Sequence, residues 1–311
     1  MKALQLIVAF FLRQLPSFSR IGFWVRRIGF EPLRLDARDQ TWLVTGASGG
    51  LGAEIARSGA NAGADVIAVA RSRDKLEAFA ATAAAGRGEV SLERVDCSSM
   101  AELRALADRL AGQKIAVLVN NVGVLPTEHA VTDEGFEQAY ATNVLGHYIL
   151  TEALIANGVL GSGSLVVSMS SGGMYNVPLL PEALNAVSGD GFNGDRQYAL
   201  HKRAQVVLTD LWRERHRDRG IEFLVAHPGW ADTPGVATSL PTFRRILGPL
   251  LRTAREGVDT VLWLIALRPH TGPERIWFDR GARPVHTSDA TRVHSKPPQA
   301  LQDRLQTDAA H

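Results

Sequence analysis

Cysteine is almost missing from this chain of 311 residues, where Cys97 stands alone. A lone thiol excludes an intrachain disulfide, and no Cys/His cluster has metal-ligand spacing, so no metal site is expected. Both features suit a reducing, cytoplasmic setting. Net charge is nearly absent too: 34 basic and 32 acidic residues leave +2, which carries no nucleic-acid signal. Long apolar runs are also lacking. The longest early one, Ala3 to Leu12, covers about half of a bilayer crossing and has no small-x-small cleavage site, which disfavours a secretory signal. Tyrosine is scarce, with four copies, and lysine little better, with five.

What remains is ordinary globular text, 45% hydrophobic and 21% charged. Its basic residues are unevenly placed: Lys2, Arg13, Arg20, Arg26 and Arg27 all precede the first acid, Glu31. Leu4, Ile7, Val8, Phe11, Leu12 and Leu15 follow helical spacing, and "SRIGFWVRRIGF" sets aromatics among arginines. Such a segment can lie in a membrane interface, or pack on the main domain or a second subunit. From Thr41 onward, strand-like runs ("TWLVTG", "DVIAVAR", "VSLERVD", "IAVLVNNVG", "GSLVVSMSS", "IEFLVAHPG") alternate with helical stretches, one of them from about Glu134 to Asn157. Continuous apolar strands separated by helices predict an α/β fold, a doubly wound, Rossmann-like parallel sheet covered on both faces. Right-handed crossovers follow. No internal repeat or linker divides it, so the organisation is an extension (1–38), one sheet domain (39–286) and a polar tail with a short helix (287–311).

The first strand runs into "TGASGGLG", with Gly46, Gly50 and Gly52 where a tight turn, a pyrophosphate and close helix packing each need the missing side chain. The next helix then aims its N-terminal N–H groups at the phosphates. The second strand ends at Ala70 followed by Arg71 and Arg73, with no carboxylate for a free ribose 2′-hydroxyl. A guanidinium suits a 2′-phosphate, so NADP(H) is favoured and NAD(H) stays open, although "SRDK" is also good helix-capping text. Asp96 and Asn120 end the third and fourth strands at the ligand-binding edge, as site residues or as turn residues.

Tyr198 stands four residues before Lys202, a pair that chance would supply about 0.06 times in this composition. On a helix both side chains share a face. Poising a phenol near neutrality takes about 4 kcal/mol of phenolate stabilisation, more than one screened lysine gives but within reach in a partly dry cleft where an oxidised nicotinamide adds its positive charge. Such a phenol exchanges a proton with a carbonyl or alcohol oxygen. Ser170 and Ser171 close the preceding strand, and a hydroxyl there could hold the same oxygen. Asn143, within "YATNVLGHY", either joins a proton-conducting chain or caps a bend. His147, His201 and His227 show no partner pattern and read as structural.

TGxxxGxG, NNxG, Ser, YxxxK and "HPGWADT", in that order from Thr41 to about Leu267, resemble the short-chain dehydrogenase/reductase family. The resemblance implies Ser171, Tyr198 and Lys202 as a catalytic triad, with Asn143 completing a tetrad. It implies a cofactor site drawing on Gly46, Ser48, Gly50, Leu51, Gly52, Arg71, Asp96, Asn120, Gly123, Tyr198, Lys202, Pro228, Gly229 and Thr233. It also implies a homo-oligomer paired through the helices around Tyr140 and Tyr198. Val122 replaces the family's alanine near the cofactor, and the stretch from Ser171 to Tyr198 is unusually long. Met174, Tyr175, Leu179 and Leu180 in that stretch, together with "VATSLPTFRRILGPLL", are expected to cover an apolar carbonyl or alcohol substrate. The rivals to an enzyme are an NADP-sensing regulator and a membrane-surface scaffold resting on residues 1–30.

Overall fold

Strands that are apolar on both sides need helices on both sides, and the computed structural model supplies them; it describes residues 15–83 and 86–311. Helix α1 (Arg20–Arg27) precedes β1 (Thr41–Thr45), α2 (Gly50–Ala62), β2 (Asp65–Ala70), α3 (Arg73–Ala83) and β3 (Val90–Arg94). The chain crosses back through α4 (Met100–Arg109) to β4 (Val117–Asn120). A rod follows: α5 (Gln138–Tyr140), a π-helical turn over Ala141–Leu145, and α6 (Gly146–Ala156). Next come β5 (Leu165–Met169), a 3-10 turn over Gly172–Asn176, α7 (Gly194–Arg215) and β6 (Glu222–Ala226). The remainder is α8 (Pro234–Ser239), α9 (Pro241–Leu247), α10 (Ala254–Leu267), β7 (Arg275–Phe278), β8 (Gly281–Pro284), α11 (Asp289–Val293) and α12 (Pro298–Ala309).

The strand order is β3-β2-β1-β4-β5-β6-β7-β8, parallel except for β8. Between β1 and β4 the winding reverses, which leaves a crevice at the carboxyl ends of these two strands. One core layer buries Leu103, Tyr140, Leu150, Leu208 and Trp212 against one face, and another buries Trp42, Ile55, Phe79 and Val261 against the opposite face.

Two boundaries differ from the sequence expectation. The rod begins at Gln138, not Glu134, because the fully buried Glu137 caps it, accepting from the Ala139 and Tyr140 amides at 2.9 and 2.7 Å. Strands β7 and β8 were not expected. Each has four residues, and β8 is an exposed, proline-ended edge that lacks an apolar signal. The helices expected to pair between subunits, α6 and α7, are largely buried inside the chain. Leu301 and Leu305 of α12 join their core layer, and Asp308 accepts from the Tyr140 hydroxyl at 2.6 Å. Pairing through that face would require α12 to leave it.

The apolar run Ala3–Leu12 lies outside the described residues. Just after it, Phe18 and Phe23 are buried against the domain, while Ile21, Trp24, Val25 and Ile28 stay exposed. The anchor is Arg252, 1% exposed, paired with the equally buried Asp279 at 2.6 Å; Arg26 meets the same carboxylate at 2.6 Å. Removing the acid would strand a buried guanidinium. Asp279→Ala should therefore cost about 3–5 kcal/mol of stability, measured as a lowered urea midpoint.

Candidate active site

The glycine-rich turn is shaped by steric need. Gly46 has φ +70°, and a Cβ on Gly52 would fall 2.3 Å from the Gly46 carbonyl oxygen, so α2 can begin this close only without a side chain. The turn is knitted to β4 through Thr45, whose hydroxyl accepts from the Asn121 and Val122 amides at 3.0 and 3.1 Å. Gly49 starts α2 with no side-chain cap, whereas α4, α7 and α10 are capped by Ser99, Asn193 and Thr253. The free N–H groups of α2 are the donors a pyrophosphate needs. Ser48, Gly49, Gly50, Lys75 and Pro234 border a cleft of about 490 Å³ on this side. Arg71, beyond β2, is exposed and makes no ion pair among the described residues, while Arg73 is tied to Glu77 at 2.8 Å. The residues present therefore suit a nicotinamide dinucleotide.

At the other side of the crevice, β5 ends with adjacent serines that face opposite ways. Ser170 is buried and donates to the Lys202 carbonyl at 2.8 Å, which makes it structural. Ser171 is half-buried, its hydroxyl accepts from the Gly173 amide at 3.4 Å, and it neighbours Tyr198 closely enough to draw that phenol's pKa down. Lys202 lies 5.4 Å from the Tyr198 ring centroid, and its buried ammonium donates to the Met169 carbonyl at 2.8 Å. A Cβ on Gly123 would sit 3.2 Å from that nitrogen and 3.5 Å from Asn143 Oδ1, so glycine makes room for the pair. The electrostatics differ from the sequence expectation. Burial raises the Tyr198 pKa above its ordinary value, and the pull back down comes from the Ser171 hydrogen bond, not from the lysine. Burial in turn lowers Lys202 to about 7.

Asn143 sits in the π-turn with every polar group engaged. Its side chain pairs with both the N–H and the C=O of Val124 at 2.8 Å, and its Nδ2 approaches His201 Nδ1 at 3.3 Å. Its carbonyl accepts from Gln205 at 2.6 Å. Asn143 thus braces the loop beside Lys202. Gln205, which also meets His147 Nδ1 at 3.2 Å, carried no sequence signal. His147 and His201 donate to the Val122 and Leu184 carbonyls, and burial lowers them to about 3 and about 4, as structural neutral rings.

Other expected site residues fall elsewhere. Asn120 is fully buried and donates to Thr151 at 2.9 Å, so it ties the sheet to α6 and does not line the cleft. The Asp96 carboxylate accepts from Ser98 at 2.9 and 2.7 Å, serving the turn before α4. Val122 is half-buried and packs against the core layer. Leu51 stands against Gly257 of α10, where a Cβ would be 2.8 Å away. Thr233 and Pro234 close over Gly50, whose added Cβ would meet both at 3.4 Å, and the Thr233 hydroxyl caps α8. Pro228 and Gly229 back onto Arg252. Met174, Tyr175 and Leu179 are buried in core clusters and do not cover a substrate. Sequence gives their apolarity but not their facing. Residues 234–250, by contrast, contain no buried side chain, and Ser239 reaches across to the Leu125 carbonyl at 2.9 Å.

Fold and site together define a nicotinamide-dependent oxidoreductase built on a doubly wound sheet. The family model for short chain dehydrogenase matches residues 40–182. Dehydrogenase/reductase SDR family member 12 of Bos taurus is 34% identical over 93% of this chain and 92% of its own length. Retinol dehydrogenase 12 of Bos taurus is 31% identical over 71% of each chain. A solved short chain dehydrogenase of Burkholderia cenocepacia, in complex with NADP, has a TM-score of 0.60 at 25% identity, covering 75% of this chain and 92% of that one. The chain belongs to the short-chain dehydrogenase/reductase family, whose members act on CH–OH and C=O groups.

Lys202 carries a stability signature. An unfolded lysine titrates near about 10.4, and the folded one near about 7. Between those values the unfolded chain binds more protons, so stability rises with pH. Lys202→Met in the cofactor-free protein should flatten that rise, read from urea midpoints across the same window.

Proposed function

We propose that the protein is an NADP(H)-dependent reductase or dehydrogenase of an apolar carbonyl or alcohol, with Tyr198 exchanging the proton. The observation that carries this reading is the buried Lys202 ammonium 5.4 Å from the Tyr198 ring centroid, at the end of the strand that carries Ser171. In the reducing direction the Tyr198 hydroxyl donates its proton to the substrate oxygen, and Ser171 holds that oxygen in line. Bound nicotinamide supplies or accepts the hydride. The Ser171 hydroxyl favours the phenolate left behind, Lys202 would hold the nicotinamide ribose, and Asn143 holds the Val124 loop beside it. Gly46, Ser48, Gly50 and Gly52 hold the pyrophosphate, and Arg71 takes the 2′-phosphate. The lack of an ion pair at Arg71 among the described residues and the NADP complex of the Burkholderia relative support that choice over NAD(H).

An apolar substrate is supported by the unburied strap over residues 234–250 and by the retinol dehydrogenases among the relatives. Peripheral contact with a membrane through residues 1–30 is supported by the exposed Ile21, Trp24, Val25 and Ile28 beside Arg20 and Arg27. No helix among the described residues is long and apolar enough to cross a membrane. A homo-oligomer would use a face other than α6 and α7.

Tyr198→Phe should lower turnover about 10²–10⁴-fold while NADPH binding persists; a sensor or scaffold would lose nothing. Assaying aliphatic, steroid, retinoid and sugar carbonyls tests the substrate class, and turnover of small polar compounds alone would reject it. Arg71→Ala should weaken NADPH at least about tenfold and leave NADH nearly unchanged, measured by fluorescence titration.

A further inference from the structure

The segment before α1 reaches the site from behind. A Cβ on Gly172, the residue after Ser171, would fall 2.4 Å from Phe18 Cε2, and the next two nearest atoms also belong to that ring. Phe18 is 4% exposed and held edge-on by His227, Phe278 and Trp230 at centroid distances of 4.9, 5.3 and 6.0 Å. Its carbonyl accepts from the Trp230 amide at 2.9 Å and from Arg252 at 3.0 Å. Arg252 also takes the Ser17 and Ser19 carbonyls, at 3.1 and 3.3 Å. The ring therefore has a fixed backing and presses on the backbone of one short turn. Ser171 opens that turn, its hydroxyl accepting from the Gly173 amide at 3.4 Å.

We infer that Phe18 is a positioning residue for the active site, its ring fixing through Gly172 the turn that aims the Ser171 hydroxyl at Tyr198. The inference rests on the reading of Ser171 and Tyr198 given above. A phenyl ring against a glycine backbone leaves no intervening side chain to absorb a shift, so a change at position 18 reaches Ser171 within one residue. Phe18→Ala opens space behind the turn, and Gly172→Ala pushes it forward. The two errors oppose each other, so the double variant should be milder than either single one, the non-additivity expected of groups in contact.

The test uses the whole chain with its tyrosines labelled at ¹³Cζ, which gives one line for each of four residues. The Tyr198 line is the one lost in Tyr198→Phe, and Ser171→Ala marks its position without the serine hydrogen bond. Phe18→Ala and Gly172→Ala should each move the Tyr198 line toward that mark, and the double variant should return it at least about half-way. The Tyr140 and Tyr148 lines, remote from Phe18, should stay in place and report an intact fold. Where turnover is measured, the single variants should lose about tenfold in kcat with NADPH affinity unchanged. The basic limb of the pH profile should move up, because the Ser171 bond lowers the Tyr198 pKa. If Phe18→Ala unfolds, Phe18→Leu takes its place. A Tyr198 line unmoved in both single variants, or shifts that add in the double variant, overturns the inference. Full turnover in Tyr198→Phe would instead overturn the catalytic reading and leave the positioning result standing.

Discussion

An amine held in the interior with no carboxylate beside it among the described residues is the constraint around which this fold is arranged. Lys202 is 3% exposed and its nitrogen is met by the Met169 carbonyl. Burying a cation is costly unless dipoles surround it, and the neighbouring elements are shaped to it. The last residues of β5 turn a carbonyl inward, position 123 has no side chain, and Asn143, in a π-turn that breaks the regular rod, holds the Val124 backbone alongside. Two neutral histidines nearby are kept from charging, in part by the lysine itself.

The architecture was legible because buried parallel strands are written as unbroken apolar runs, and six of the eight were readable in that form. β7 and β8 were not, since four residues carry little periodicity and β8 packs only one edge. At the site, Tyr198, Lys202 and the glycine turn could be read because helical spacing and backbone approach leave a direct trace in residue type. Residue type alone did not separate Ser170 from Ser171; the resemblance pointed to Ser171, and the structure turns the Ser170 hydroxyl inward to the Lys202 carbonyl. Met174 and Leu179 looked equally suited to a lid and to a core. Only the path of the chain decides between those, and it places them in the core.

The polar framework behind the chemistry is built from groups with no motif. Gln205, Thr151 and Glu137 each satisfy a buried backbone or amide group that would otherwise be stranded. The lone thiol takes no part: Cys97 is buried and its pKa is pushed up to about 12, so it stays protonated and unreactive.

The contacts of Phe18 and Arg26 with Phe278 and Asp279 join parts of the chain separated by about 250 residues. During synthesis the earlier-made segment around Phe18 must therefore wait for β7, made about 250 residues later, before it finds its place. Until then its aromatic and apolar side chains are uncovered, so the nascent protein is most vulnerable to self-association in the interval when the sheet is nearly built but its back wall is not.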